Sequence, residues 1–163
     1  MTGEAVSTAL LWVGALGCGV MAGVYFAFSA FVMTALRALP TGAGMGAMCA
    51  IKRVILRSPF MPLFFGTSLA ALLLFVPGVL GIWGAQPLPV LVGAAVYLFG
   101  MAGVTVAINV PLNTRLDRAG ENGPQAEAVW RHYLAVWTRW NHLRAAASFI
   151  ATALFTLALV RSG

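Results

Sequence analysis

No charged residue occurs from Ala5 through Leu36, and nearly every side chain in that interval is apolar or small. Such a run is long enough for a membrane-spanning helix, which needs roughly 20 apolar residues. A second uncharged run extends from Ser58 to Thr114, but Gly84-Ala85-Gln86-Pro87-Leu88-Pro89 interrupts it with the residues of a tight turn. The pattern predicts a first helix over about 6–36, a second over about 60–83 and a third over about 89–113. A polar segment, Arg115 to Gln125, follows. The last helix is predicted over about 126–160, with an interfacial amphipathic segment at its start. The expectation is one all-α domain over residues 1–163, an integral membrane four-helix bundle with short connections.

Composition narrows the class further. The chain is 61% hydrophobic and 9% charged, with a mean hydropathy of +0.91. Soluble domains carry roughly 25% charged residues, so this chain could not cover a water-facing surface. The net charge of +6 would suggest nucleic acid in a soluble protein. Here the basic residues sit between apolar runs, with no separate basic surface bearing stacking aromatics, which excludes nucleic acid and leaves membrane lipid as the surrounding partner. Arg37, Lys52, Arg53 and Arg57 occupy the first connection. Arg115, Arg118, Arg131 and Arg139 occupy the third, with Arg144 at its edge, whereas the opposite side holds only Arg161. The positive-inside rule then puts both termini outside and the two basic connections in the cytoplasm, with Trp12 and Trp83 at the outer interface. The acid in Met1-Thr2-Gly3-Glu4 argues against a secretory signal, so the first helix is expected to be retained.

Three local patterns add detail. Ala15, Gly19, Gly23 and Ala27 recur every four residues as a small-residue ridge, suited to a helix contact inside one bundle or, alternatively, to a homo-oligomer seam. Met45, Met48, Ile51 and Ile55 can share one face while Lys52 and Arg53 face water, which reads as a short surface helix or a solvated loop. A straight helix from Cys18 to Arg37 would be roughly 28 Å long, so a disulfide between Cys18 and Cys49 is not expected. Two cysteines are also too few for a thiolate metal site.

The polar residues converge at one depth. Ala145–Val160 would rise only about 24 Å against a core of about 30 Å, so Trp140, Asn141, His142 and Arg144 must reach the edge of the hydrocarbon. The third helix, counted from Pro89, brings Asn109-Val110-Pro111-Leu112-Asn113 to the same depth. Asn109 and Asn113 share a face, and Pro111 leaves the Ala107 carbonyl without its helical donor. Trp130, Trp137, Asn141, Arg144 and Ser148 fall along one stripe. Phe28 and Phe31 arrive from the first helix, and Phe60, Phe64 and Phe65 from the second. Together they outline an aromatic-walled pocket holding amide, imidazole and guanidinium groups. The plain alternative is that Arg144 snorkels, the asparagines bridge helices and the tryptophans form a belt. Trp130 and Trp140 are assigned to that belt, and His132 to a polar face. His132 and His142 lie about 80° apart around a helix, which argues against a metal or haem between them.

At these residues the chain resembles the anthrone oxygenase family of small membrane proteins. The resemblance rests on Asn109–Asn113 with Leu116, on Trp137-Thr-Arg-Trp-Asn-His-Leu-Arg144, on Gly19–Ser29, on Val32–Leu36, and on Ala47-Met48 with Ile51. It departs where Thr34 and Lys52 stand, since the family often has Pro and Asn there. The resemblance implies oxidation of an anthrone, or a similarly activated lipophilic substrate, by molecular oxygen without a cofactor. Such a reaction needs a base, donors for an oxyanion and a dry aromatic slot. The resemblance then assigns His142 as base, Asn141, Asn113, Asn109 and Arg144 to the oxyanion, and Trp137 with Phe28, Phe31 and Phe64 to the polycycle. Two other classes remain: a non-enzymatic binder of a lipophilic small molecule, including a transport or assembly accessory, and a metal or haem redox protein.

Overall fold

A computed structural model describes residues 2–82, 87–121 and 123–162. Trp83, and with it most of the expected turn before Pro87, lies outside the described residues. Helix α1 comprises Thr2–Ala27, a π-helical turn at Phe28–Val32, and Met33–Arg37. Helix α2 is Thr41–Ile55 and α3 is Phe60–Val79. Helix α4 runs through Leu88–Tyr97, Leu98–Gly103, Thr105–Asn109 and Val110–Ala119, of which the second and third segments are π-helical. Helix α5 is Ala126–Ser162. The described residues contain no strand. Four helices, α1, α3, α4 and α5, are long and apolar enough to cross a membrane. The chain is therefore an all-helical, multi-pass membrane protein.

Close backbone approach organises the apolar half. A Cβ on Gly17 of α1 would collide with the Thr67 side chain of α3, and one on Gly14 would come within 3.0 Å of the Phe155 ring of α5. Gly23, expected on the contact ridge, has open space beside it. The contact face is rotated from the four-residue repeat because α1 must meet α3 and α5 at once. Leu11, Cys18, Met21, Leu74, Tyr97 and Phe155 are buried in this core. Both cysteines are free.

A second core, at the basic end, is built on α2. Met45, Met48, Cys49 and Lys52 are buried along one stripe with helical spacing, while Arg53 and Val54 face out. Lys52, expected to face water, is 9% exposed and points inward. Trp130 is a second correction. It is buried and stacks on Tyr133 with ring centroids 5.7 Å apart, so it belongs to this core and not to an exposed belt. Helix α4 continues past Asn113 because Leu116, one turn on, is fully buried against the same core. It ends at Gly120, whose φ of 66° suits a residue without a Cβ.

Candidate functional site

The stripe on α5 reaches the middle of the basic end. Asn141 and Arg144 are three residues apart, so both project toward α1 and α4. Arg144 is 4% exposed. One terminal nitrogen donates to Asn141 Oδ1 at 2.7 Å, and the other lies 3.4 Å from Thr105 Oγ1. Its Cζ sits 4.3 Å from the centre of the Tyr25 ring and 5.0 Å from that of Trp137, a cation held between two aromatic faces. Asn141 is itself fixed, because its Nδ2 donates to the Tyr25 carbonyl at 2.7 Å and to Ser29 Oγ at 2.8 Å. These partners lie beside π-helical turns, where the displaced register reorients side chains and carbonyls.

A cavity of about 260 Å³ opens against this group. Tyr25 and Phe28 line it from α1, Met48, Ile51 and Lys52 from α2, and Phe60, Phe64 and Phe65 from α3. Thr105, Val106, Val110 and Asn113 contribute from α4, and Trp137 and Arg144 from α5. Small-molecule sites run from roughly 300 to 1,000 Å³, and this volume lies just below that range, so the space suits a compact ligand. Phe28 packs on Trp137 at 5.7 Å, and Phe60 on Phe64 at 6.3 Å. Trp137 Nε1 and Arg144 Nε are buried donors without a hydrogen-bond partner. Both belong to side chains that line the cavity.

Among the described residues no carboxylate pairs with Arg144. The ion pairs there are Lys52 with Asp117 at 2.6 Å and an exposed Glu127–Arg131 contact at 4.0 Å. A buried guanidinium without an anion is costly in a low-dielectric interior. Its surroundings compensate in part through two ring faces and the Asn141 carbonyl oxygen, and they favour an added negative charge.

The residues singled out in the sequence divide into three groups. Arg144, Trp137, Asn113, Phe28 and Phe64 line the cavity. Asn141 and Asn109 stand behind it as buried supports, with Asn109 Nδ2 reaching the Trp137 carbonyl at 3.5 Å. Asn113 is also held from behind, its Oδ1 accepting from the Tyr133 hydroxyl at 2.7 Å. His142 and Phe31 are brought to neither place. His142 lies in a separate shallow depression with Phe26, Ser29 and Phe149, because one residue of helical rotation turns it about 100° from Asn141. Phe31 is 60% exposed on the outer surface of α1. Both expected positions in the pocket are thus corrected.

Residues not singled out for the site complete it. The Tyr25 ring stacks on the guanidinium, and Thr105 Oγ1 accepts from it. Lys52 donates to the Asn113 carbonyl at 3.1 Å and to Asp117 Oδ1 at 2.6 Å. Cys49 Sγ also donates to that oxygen, at 3.3 Å, and burial pushes its thiol pKa up, so it remains a neutral donor. Asp117 could have been found from its spacing, since it lies one turn beyond Asn113. Among the described residues no group of three His, Cys, Asp or Glu side chains could hold a metal ion.

A family model described as anthrone oxygenase matches residues 52–154. The match begins at Lys52 and takes in all of α3 and α4 and every cavity-lining residue of α5. No curated protein and no solved structure matches the chain. More than half of the sequence is covered, including the stripe that carries Trp137, Asn141 and Arg144, and this chain belongs to the anthrone oxygenase family.

Proposed function

We propose that this protein is a membrane oxygenase that binds a flat, electron-rich polycycle of the anthrone type in the cavity beside Arg144 and directs its oxidation by O2. The observation that carries this reading is the buried guanidinium on an aromatic cavity without a carboxylate partner among the described residues. An anthrone has a ring methylene whose proton is acidic because the negative charge moves onto the carbonyl oxygen. Arg144 and the indole N–H of Trp137 would hold that oxyanion, and the aromatic walls would hold the rings. Interactions that strengthen as charge develops lower the barrier, whereas those equal in both states do not.

The reaction balances without an added electron carrier. The methylene loses one proton, and the enolate passes an electron to O2. The resulting radicals combine through a new C–O bond, and the proton returns to give a hydroperoxide. Loss of the second methylene proton, with cleavage of the O–O bond, leaves a carbonyl and one water. The carbon is oxidised by four electrons and O2 is reduced by four. The protein's part is to bind, to stabilise the anion and to keep bulk water away.

Purified protein supplied with anthrone is expected to consume one O2 for each anthraquinone formed, with no added cofactor. An oxygen electrode and chromatography of the product provide the test. Anthrone binding without oxygen uptake would reject catalysis and leave a non-enzymatic small-molecule binder. Neither binding nor uptake would reject the substrate class.

A further inference from the structure

Lys52 stands on the boundary between two spaces. Its side chain lines the aromatic cavity. Its partner Asp117 lines a different, open depression with Met45, Cys49, Gly120 and Glu121. The side chain of Lys52 is 11% exposed and that of Asp117 is 58% exposed, so the pair runs from the enclosed site to the open surface. The Lys52 ammonium gives one N–H to the Asn113 carbonyl and one to Asp117 Oδ1, which leaves the third for a ligand. His142 lies away from this space. Apart from Lys52, the cavity's polar lining consists of phenol, hydroxyl, amide, indole and guanidinium groups. None of those is a ready base at neutral pH.

We propose that Lys52 is the general base of the cavity and that Asp117 is the positioning residue that frees it to act. The inference rests on the oxygenase reading above and names the group that starts the chemistry. Passing one proton from Lys52 Nζ to Asp117 Oδ1, across 2.6 Å, converts the ion pair into an amine and a carboxylic acid. The exposed Asp117 carboxylate can hand that proton on to solvent, so the amine does not depend on a standing carboxylic acid beside it. The amine takes the first methylene proton and becomes an ammonium again, while the anion forms beside Arg144. That proton is returned to the peroxide oxygen. The amine then takes the second methylene proton as the O–O bond breaks, and the departing hydroxide receives it as water. Asp117 recovers its carboxylate when its proton passes back to the amine or out to solvent. No proton is gained or lost over the cycle.

The test separates proton abstraction from oxidation. Protein in lipid nanodiscs is given anthrone in deuterated buffer without oxygen, and deuterium entry at the methylene is followed by mass spectrometry. The native protein should accelerate exchange well above the buffer blank. Lys52→Arg keeps the charge and the contact to Asp117 but cannot lose a proton. Exchange should fall by about a hundredfold or more, the scale of general-base catalysis, while anthrone affinity changes less than about threefold. Asp117→Asn should lower exchange at least tenfold, and Asp117→Glu should restore most of it. Lys52→Met, which removes the group without adding bulk, provides a second reading if the arginine variant is poorly folded. Exchange at the native rate in either lysine variant, with binding intact, overturns the assignment of Lys52. Oxygen uptake by the native protein without exchange above the blank also overturns it, while leaving the oxygenase reading standing. Absence of both binding and oxygen uptake in the native protein brings down that reading and this inference with it.

Discussion

The two halves of the molecule are made from the same four long helices, yet they solve opposite problems. In the apolar half the helices press together. Gly14 and Gly93 enclose the Phe155 ring from α1 and α4, with hypothetical Cβ atoms 3.0 and 3.1 Å from it, and Gly17 lies against Thr67. Among the described residues there, no ion pair forms. At the basic end α2 inserts among the long helices, two π-helical turns flank the polar groups, and a cavity of about 260 Å³ remains. Close packing in lipid comes from small residues that let backbones approach. The basic end gives up that closeness and is held by a network running from Ser29 and Tyr25 through Asn141 to Arg144 and Thr105. The comparison teaches that the apolar half supplies rigidity, and the basic end spends part of it on a charged group facing an enclosed space.

The sharpest way to break that comparison is Arg144→Met. Methionine has a similar length and no charge, and replacing a buried ion by an apolar side chain need not destabilise a fold. Thermal stability in detergent should stay near that of the native protein. Oxygen uptake with anthrone should fall by about 10²–10³-fold, the usual scale for losing one oxyanion donor. Arg144→Lys should recover little, because a point charge cannot reproduce the planar donor set or its stacking between Tyr25 and Trp137. Turnover within about threefold of native in Arg144→Met would mean that the guanidinium serves packing alone.

A change in the other half should do the reverse. Gly17→Ala places a Cβ against the Thr67 side chain, and overpacking of this kind costs about 1–3 kcal/mol. The expected result is a lower unfolding midpoint with kcat/KM of the folded fraction unchanged. Adding Thr67→Ala removes the hydroxyl and methyl that the new Cβ would meet, so the pair should regain most of the lost stability. A double variant no more stable than Gly17→Ala would show that the contact does not govern the apolar half.

Much of this division is legible in the sequence, and the reasons are physical. Long uncharged runs must be satisfied within helices in a bilayer, so the spanning elements follow from charge spacing. A rise of about 1.5 Å per residue also brings the polar residues of the third and last helices to one level, and Arg144 meets Thr105 while Asn109 meets the Trp137 carbonyl. Side-chain direction across elements is harder to read. A cation on a short amphipathic helix ordinarily faces water, but Asp117 on α4 draws Lys52 inward. The pairing is not legible in the sequence, because Asp117 falls in a polar stretch beyond the expected end of the third helix. Tyr25 and Thr105 are illegible for a different reason. A tyrosine and a threonine in apolar runs carry no periodic signal of their own, and only the guanidinium between them gives them a role.

His142 shows how a residue can have suitable chemistry and the wrong position. The stripe through Trp137, Asn141, Arg144 and Ser148 advances by four, three and four residues, which keeps one face of α5 turned inward. His142 falls between two members of that stripe and is therefore rotated outward, toward Phe26 and Phe149. Imidazole is a suitable base at neutral pH, but a general base must reach the proton it removes, directly or through one water. His142→Ala is therefore expected to change oxygen uptake with anthrone by less than about twofold, within the range of a surface substitution. The informative measurement is kcat/KM beside that of Asn141→Ala, one residue away and pointing inward. Asn141→Ala should reduce it strongly, since it leaves the Arg144 guanidinium without its Oδ1 acceptor. Equal losses in the two variants would overturn the inward stripe as the element that builds the site. A loss confined to His142 would move the chemistry to the opposite face of α5.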